Sequence, residues 1–326
     1  MLIDNHHRIH DYLRISLTNN CNLRCFYCMP NEDLPYTPPA SLMQTEEIDT
    51  IVATFVKLGI KKIRLTGGEP LVRKDAEAIL DILAQYPVEL TMTTNGVRLH
   101  DFFDQLKRIG LRSLNISLDT LKAARFKEIT KRDEFKKVYA NILRAVELGF
   151  SVKVNVVAMK GVNDDEILDF VALTKNLPLH IRFIEFMPFS GNQWQDDKVI
   201  GWKEILKIVG DAYDMVPLIR LEHDTAKKYK VIGHEGTFAV ISTMTSPFCG
   251  DCNRMRLTAD GKMKNCLFSK GENDILSALR RGENIEPLII QNIKTKAAER
   301  GGQITPQFKT ADAVLMHNRS MINIGG

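Results

Sequence analysis

The six cysteines of the 326-residue chain fall into two groups: Cys21, Cys25 and Cys28 as C-x3-C-x2-C, and Cys249, Cys252 and Cys266 as C-x2-C-x13-C. Three thiols cannot pair off as disulfides, and disulfides are rare where the cytosol keeps thiols reduced, so groups of this kind point to metal binding. Structural zinc takes four protein ligands, and each group offers three; a distant histidine would have to complete either set. Three thiolates can instead hold three irons of a 4Fe-4S cluster and leave the fourth iron open to a substrate. A second chemical signal is Gly67-Gly68-Glu69-Pro70, where paired glycines let a backbone edge come close to a ligand.

The elements that must position these residues are legible as an alternation. Apolar runs at 12–18, 61–67, 88–94, 112–119, 151–159 and 180–187 read as buried strands. Between them lie helical patterns: Ile48, Ile51, Val52, Phe55 and Val56 keep the 3.6-residue period behind Thr45 as a cap, and Gly59, Gly110 and Gly149 stop successive helices. Six strand-helix units predict an incomplete (β/α)6 TIM-type barrel, with a doubly wound open sheet as the alternative. In the barrel, the first cysteines follow strand one and Gly67–Pro70 follow strand two, both at the C-terminal mouth where such folds place chemistry.

Composition narrows the function class. With 44% hydrophobic and 26% charged residues, the chain reads as a soluble globular protein. The net charge of +4 comes from scattered basic residues, so no nucleic-acid partner is expected. Residues 1–16 lack the apolar core of a signal peptide and no long apolar run could span a bilayer, which predicts a cytoplasmic protein with no membrane contact. His6 and His7 read as solvated, and Asp164 and Asp165 as a helix start.

C-x3-C-x2-C with Tyr27 before its last cysteine, followed one strand later by Gly-Gly-Glu-Pro, resembles the radical S-adenosylmethionine enzymes. Cys249, Cys252 and Cys266, with the diglycine Gly325-Gly326, resemble the C-terminal part of one family among them, the GTP 3′,8-cyclases of molybdenum cofactor biosynthesis. The resemblance implies a lyase-type enzyme with two 4Fe-4S clusters. Reductive cleavage of S-adenosylmethionine would give a 5′-deoxyadenosyl radical that takes the ribose 3′ hydrogen of GTP, leading to 3′,8-cyclo-7,8-dihydro-GTP. It implies residues 1–188 as the partial barrel and 189–326 as a region that carries the second cluster and closes the barrel mouth. Partners would be GTP, an electron donor and a downstream cyclic pyranopterin monophosphate synthase, with the chain a monomer or homodimer. A radical enzyme acting on a peptide, or a zinc-binding structural protein, are the alternatives.

By the same resemblance, Tyr27, Gly68, Ser117 and Met187 contact S-adenosylmethionine, and Arg14, Arg64, Thr93, Lys153, Arg254, Met255 and Arg256 contact GTP, with Arg182 a further candidate. Arg254, Arg256, Gly325 and Gly326 are expected at the reaction itself. The hairpin around Asp260 allows a geometric expectation. A three-residue loop, Ala259–Gly261, pairs Thr258 with Lys262 and sets Cys266 opposite Arg254, so both arginines share a face with that thiol; it needs Gly261 at positive φ. A two-residue turn would put them on opposite faces.

Overall fold

The computed structural model describes residues 1–29, 37–192, 194–304 and 318–325. Six strands, β1 (Tyr12–Ser16), β2 (Lys62–Thr66), β3 (Glu89–Thr94), β4 (Ser113–Ser117), β5 (Ser151–Ala158) and β6 (His180–Glu185), lie side by side in chain order, each parallel to the next. They sit within two residues of the apolar runs at their starts and end one to two residues earlier in most cases, because the last residues of each run turn into the mouth loops. An order without reversal excludes the doubly wound alternative, in which strand order turns back at a switch point.

Six further strands follow: β7 (Met215–Pro217), β8 (Lys227–Val231), β9 (Thr237–Ile241), β10 (Arg254–Leu257), β11 (Lys262–Lys264) and β12 (Asn273–Asp274). They join the same sheet at both edges. β9 runs parallel to β6 and β10 parallel to β1, while the outermost strands are antiparallel. The described sheet ends at β12 and β7, so hydrogen bonds do not close it into a full ring.

Each central strand has two faces of different character. In β5, Val152, Val154, Val156 and Ala158 are buried, while Lys153 and Asn155 point the other way. The apolar face is covered by helices such as Thr45–Lys57, which buries Ile48, Ile51, Val52 and Phe55, each such side chain contributing roughly 1.5–3 kcal/mol. Thr45 is not the cap of this helix. Gln44 precedes the first turn, its N–H bonded to Glu47 Oε2 at 2.7 Å, and Thr45 Oγ1 donates to Asp75 Oδ2 at 2.7 Å instead. Gly59, Gly110 and Gly149 all take positive φ behind their helices. Asp164–Glu166 form a 3-10 turn leading into the helix Ile167–Ala172, and His6 and His7 are exposed. Among the described residues no helix is long and apolar enough to cross a membrane.

Candidate active site

Two cavities open on the face of the sheet opposite the helices. The first holds Cys21, Cys25 and Cys28 together with Tyr27, Gly67, Gly68, Thr93, Ser117 and Met187. Its thiol loop is stapled down: Arg24 and Phe26 N–H bond to Thr130 O and Ile129 O at 2.8 and 3.1 Å, and Cys25 O accepts from Cys28 and Met29 N–H. Gly68 N–H bonds to Thr18 O at 2.7 Å, and a Cβ on Gly68 would stand 2.4 Å from Asn20 O, so the two mouth loops meet at a distance only glycine permits. Glu69 is fully buried and joins the next loop, accepting from Thr94 Oγ1 (2.8 Å), Leu71 N–H (3.1 Å) and Asn95 N–H (2.6 Å). Its carboxyl is pushed up to about 7 by burial. Tyr27 donates to Asp119 Oδ2 at 2.6 Å, and burial pushes Asp119 up to about 6.

Burial also pushes the thiols up, Cys21 to about 11 and Cys28 to about 12, with Cys25 raised further by Asp119. Three such thiols give up their protons together only to a metal cation. Among the described residues no three His, Cys, Asp or Glu side chains are arranged to hold a single metal ion. Three thiols set around a cavity suit a cluster larger than a single ion, and their soft sulfur suits iron-sulfur chemistry.

The second cavity holds Cys249, Cys252 and Cys266 and is strongly cationic. Arg14, Lys62, Arg64, Lys153, Arg182, Arg254, Arg256 and Arg300 line it, against one carboxylate, Asp224. Strand register explains the crowding. Arg14 pairs across with Arg64 on one side and Arg256 on the other, and Tyr12 with Lys62 and Arg254. Like charges directly opposite one another on a sheet destabilise it, so this rung is a standing cost unless an anion lies over it. Removal from water, then the neighbouring guanidiniums, lower Arg14 well below the arginine range and Arg182 to about 9; burial brings Arg256 to about 10. Burial and Arg182 bring Lys153 to about 8. Burial would raise the Tyr12 phenol, but Arg64 and Arg14 bring it down to about 8. Buried polar atoms are left without hydrogen-bond partners here: Arg182 Nε and Nη2, Asn115 Oδ1 and Asn155 Oδ1, with Thr93 Oγ1 in the first cavity. Clustered orphans of this kind mark where a polar ligand belongs.

The hairpin takes the three-residue loop. Arg256 pairs with Lys264, Thr258 N–H bonds to Lys262 O at 2.9 Å, and Gly261 has φ 68°. Arg254, Arg256 and Cys266 accordingly share one cavity. Met255, between the arginines, points the other way and is fully buried in the core, so only its backbone faces the site. Thr93 lies on the first cavity and not among the guanidiniums of the second. Gly325 folds back to the mouth: its carbonyl accepts from Arg256 Nη1 at 2.6 Å, and a Cβ there would stand 2.7 Å from Thr66 Oγ1. Gly326 lies outside the described residues. Asn155, Ile184, Met187 and Met321 line both cavities, so the two are neighbours.

Tyr12, Lys62, Asn115, Asn155 and Arg300 were not expected from the sequence. For the first four a signal was present: each stands two residues from an anticipated site residue on the same strand (Arg14, Arg64, Ser117 and Lys153) and hence on the same face. Arg300 sits in an irregular segment where no period applies.

The family model described as "Radical SAM superfamily" matches residues 15–174, and that described as "Molybdenum Cofactor Synthesis C" matches 179–303. Molybdenum cofactor biosynthesis protein 1 of Bos taurus is 47% identical over 99% of the chain but only 51% of its own length, so the chain spans about half of that relative. GTP 3′,8-cyclase of Syntrophomonas wolfei is 42% identical over 91% of the chain and 94% of its own length. Among solved structures, Streptococcus suis SuiB bound to S-adenosylmethionine superposes with a TM-score of 0.61 at 15% identity, covering 95% of this chain and 72% of that one, a likeness of fold. A thiol loop held against a Gly-Gly-Glu turn on a parallel sheet, and a match that runs nearly the full length of a bacterial relative, place the chain in the radical S-adenosylmethionine superfamily and, within it, in the GTP 3′,8-cyclase family.

Proposed function

We propose that the chain converts GTP to 3′,8-cyclo-7,8-dihydro-GTP, in keeping with the name GTP 3′,8-cyclase carried by the bacterial relative it matches along nearly its whole length. The observation that carries this reading is the rung Arg256–Arg14–Arg64 beside three thiols, an array that wants a polyanion with a second, metal-binding end. GTP supplies both, with a triphosphate of about four negative charges and a guanine edge.

Cys21, Cys25 and Cys28 would hold one 4Fe-4S cluster, and Cys249, Cys252 and Cys266 a second. When bound, the first cluster and S-adenosylmethionine supply one electron and a carbon radical able to take hydrogen from a ribose carbon. The chain's residues do the rest. The Gly68 backbone edge, Tyr27, Ser117 and Met187 seat S-adenosylmethionine in the first cavity, with Tyr27 held by Asp119. Arg14, Arg64, Lys153, Arg182 and Arg256 take the triphosphate, and Arg254 stands near the second cluster. Asn155 and Met187 sit where the two ligands meet, so that ribose faces the first cavity. Phe189 stacked on Phe268 at 5.7 Å, with Trp194 and Ile324 buried nearby, keeps water from a reactive carbon. Residues 1–188 are the partial barrel and 189–326 the region that carries the second cluster and covers the mouth. An electron donor and a downstream cyclic pyranopterin monophosphate synthase are the expected partners.

The test is anaerobic incubation of the iron-loaded chain with GTP, S-adenosylmethionine and dithionite, followed by mass spectrometry. The expected nucleotide product has the mass of GTP, loses the 3′ deuterium of labelled GTP to 5′-deoxyadenosine and elutes apart from GTP. The Cys252→Ala variant should still release 5′-deoxyadenosine but form no product. Cleavage of S-adenosylmethionine that GTP neither stimulates nor labels would refute the reading.

A further inference from the structure

We infer that Lys296 is a positioning residue that places a charged hydrogen-bond donor on Cys252 of the second thiol group and raises the reduction potential of the cluster bound there. The inference rests on the reading that Cys249, Cys252 and Cys266 hold such a cluster. Lys296 follows the helix Glu286–Lys294 and is only 4% exposed. An ammonium has three protons, and each has an acceptor: Arg254 O at 2.8 Å, Cys252 Sγ at 3.4 Å and His10 Nδ1 at 3.4 Å.

The third acceptor is fixed from behind. His10 is buried and its Nε2 lies 3.0 Å from Asp4 Oδ2; with the ring proton on Nε2 donated to the carboxylate, Nδ1 keeps a lone pair for Lys296. Asp4 also accepts from Arg8 Nε at 2.7 Å, and Arg8 reaches Cys249 O at 2.9 Å. The chain's opening residues thus reach two of the three cysteines, Cys249 at its backbone carbonyl and Cys252 at its sulfur through Lys296. A buried ammonium is costly unless a negative charge answers it. Of its three acceptors, Arg254 O is a carbonyl and His10 Nδ1 a ring lone pair, and the Cys252 sulfur is the one that becomes an anion when it ligates a metal.

A charged donor on a ligand sulfur draws electron density from it and favours the reduced cluster. At the first thiol group, Cys21 Sγ accepts from neutral donors, Leu23 N–H at 3.4 Å and Asn95 Nδ2 at 3.6 Å.

The experiment compares the anaerobically loaded full chain with Lys296→Met, close in shape but uncharged, by iron analysis and an EPR-monitored redox titration. Iron near about eight per chain in both proteins, with one midpoint moved to more negative potential and the other unmoved, is the expected result. Unmoved midpoints at the same iron content overturn the inference. About four iron atoms per chain in the unaltered protein would overturn it by removing the second cluster itself, a different outcome from the first. Should Lys296→Met lose the second cluster, Lys296→Gln decides, since it keeps a donor without the charge; a midpoint equal to that of the unaltered chain would then overturn the inference.

Discussion

Arg182 concentrates the tension of this site in one side chain. Its Nε and Nη2 are buried without partners, and burial with Arg64 nearby lowers it to about 9. An anion would settle both; an apolar side chain would remove the need. Arg182→Leu is therefore expected to raise stability without nucleotide by about 1–2 kcal/mol, read from denaturant midpoints, while weakening GTP binding at least tenfold in a titration. A variant that loses stability, or binds GTP as well as before, would show that Arg182 serves the sheet and not the ligand. The contrast with the cysteines says what is legible at this scale. Thiols announce themselves by rarity and spacing, whereas an arginine in a strand announces only its face. That Arg14, Arg64 and Arg256 share a rung depends on strand order and register, which bring together residues up to 242 positions apart.

At the scale of elements, the six parallel strands could be read because each is an apolar run ended by a glycine or a turn, and the 254–266 hairpin because its glycine fixed the loop length. β7, β8 and β9 escaped notice; β7 has three residues, and β8, "KKYKV", has only Val231 buried. The opening segment also escaped. It bends back on itself, with Ile3 bridging Ile9 and His10 N–H bonded to Leu2 O at 2.8 Å, and it depends on His10 being neutral. Burial and then the Lys296 charge hold His10 down at about 4, from an ordinary 6.5. The unfolded chain takes up this proton as pH falls through 6.5, the folded chain not until about 4, so stability is lost with falling pH across that window, by up to about 3 kcal/mol. Glu69 and Asp119, raised by burial, work in the opposite sense, since their folded forms bind protons first. The difference between the unaltered chain and His10→Phe isolates the histidine. Its unfolding free energy should fall more steeply from pH 6.5 to 4.5 than that of the variant, and equal slopes would assign the acid response elsewhere.

At the scale of the whole molecule, the end of the chain returns to its beginning. Asn323 Oδ1 accepts from Asn19 Nδ2 at 3.0 Å, and Gly325 O from Arg256 Nη1 at 2.6 Å. Deleting Gly325 and Gly326 should cut product formation at least tenfold, since it removes the acceptor that aims Arg256, while iron content and thermal midpoint stay within error. Unchanged turnover would reduce the tail to packing. The broad architecture was readable because six repeated units leave few arrangements, but the joining of the C-terminal region to both edges of one sheet was not, since nothing local in β9 or β10 names its neighbour. That arrangement carries a consequence for synthesis on the ribosome. When residue 185 has emerged, β1 and β6 both present bare hydrogen-bonding edges; β9 covers one after residue 241, and β10 reaches the other only after residue 257. Unpaired edges recruit other strands, so between residues 185 and 257 the nascent barrel carries an edge open to wrong pairing, and its final cooperative step waits for the segment that brings the second set of thiols.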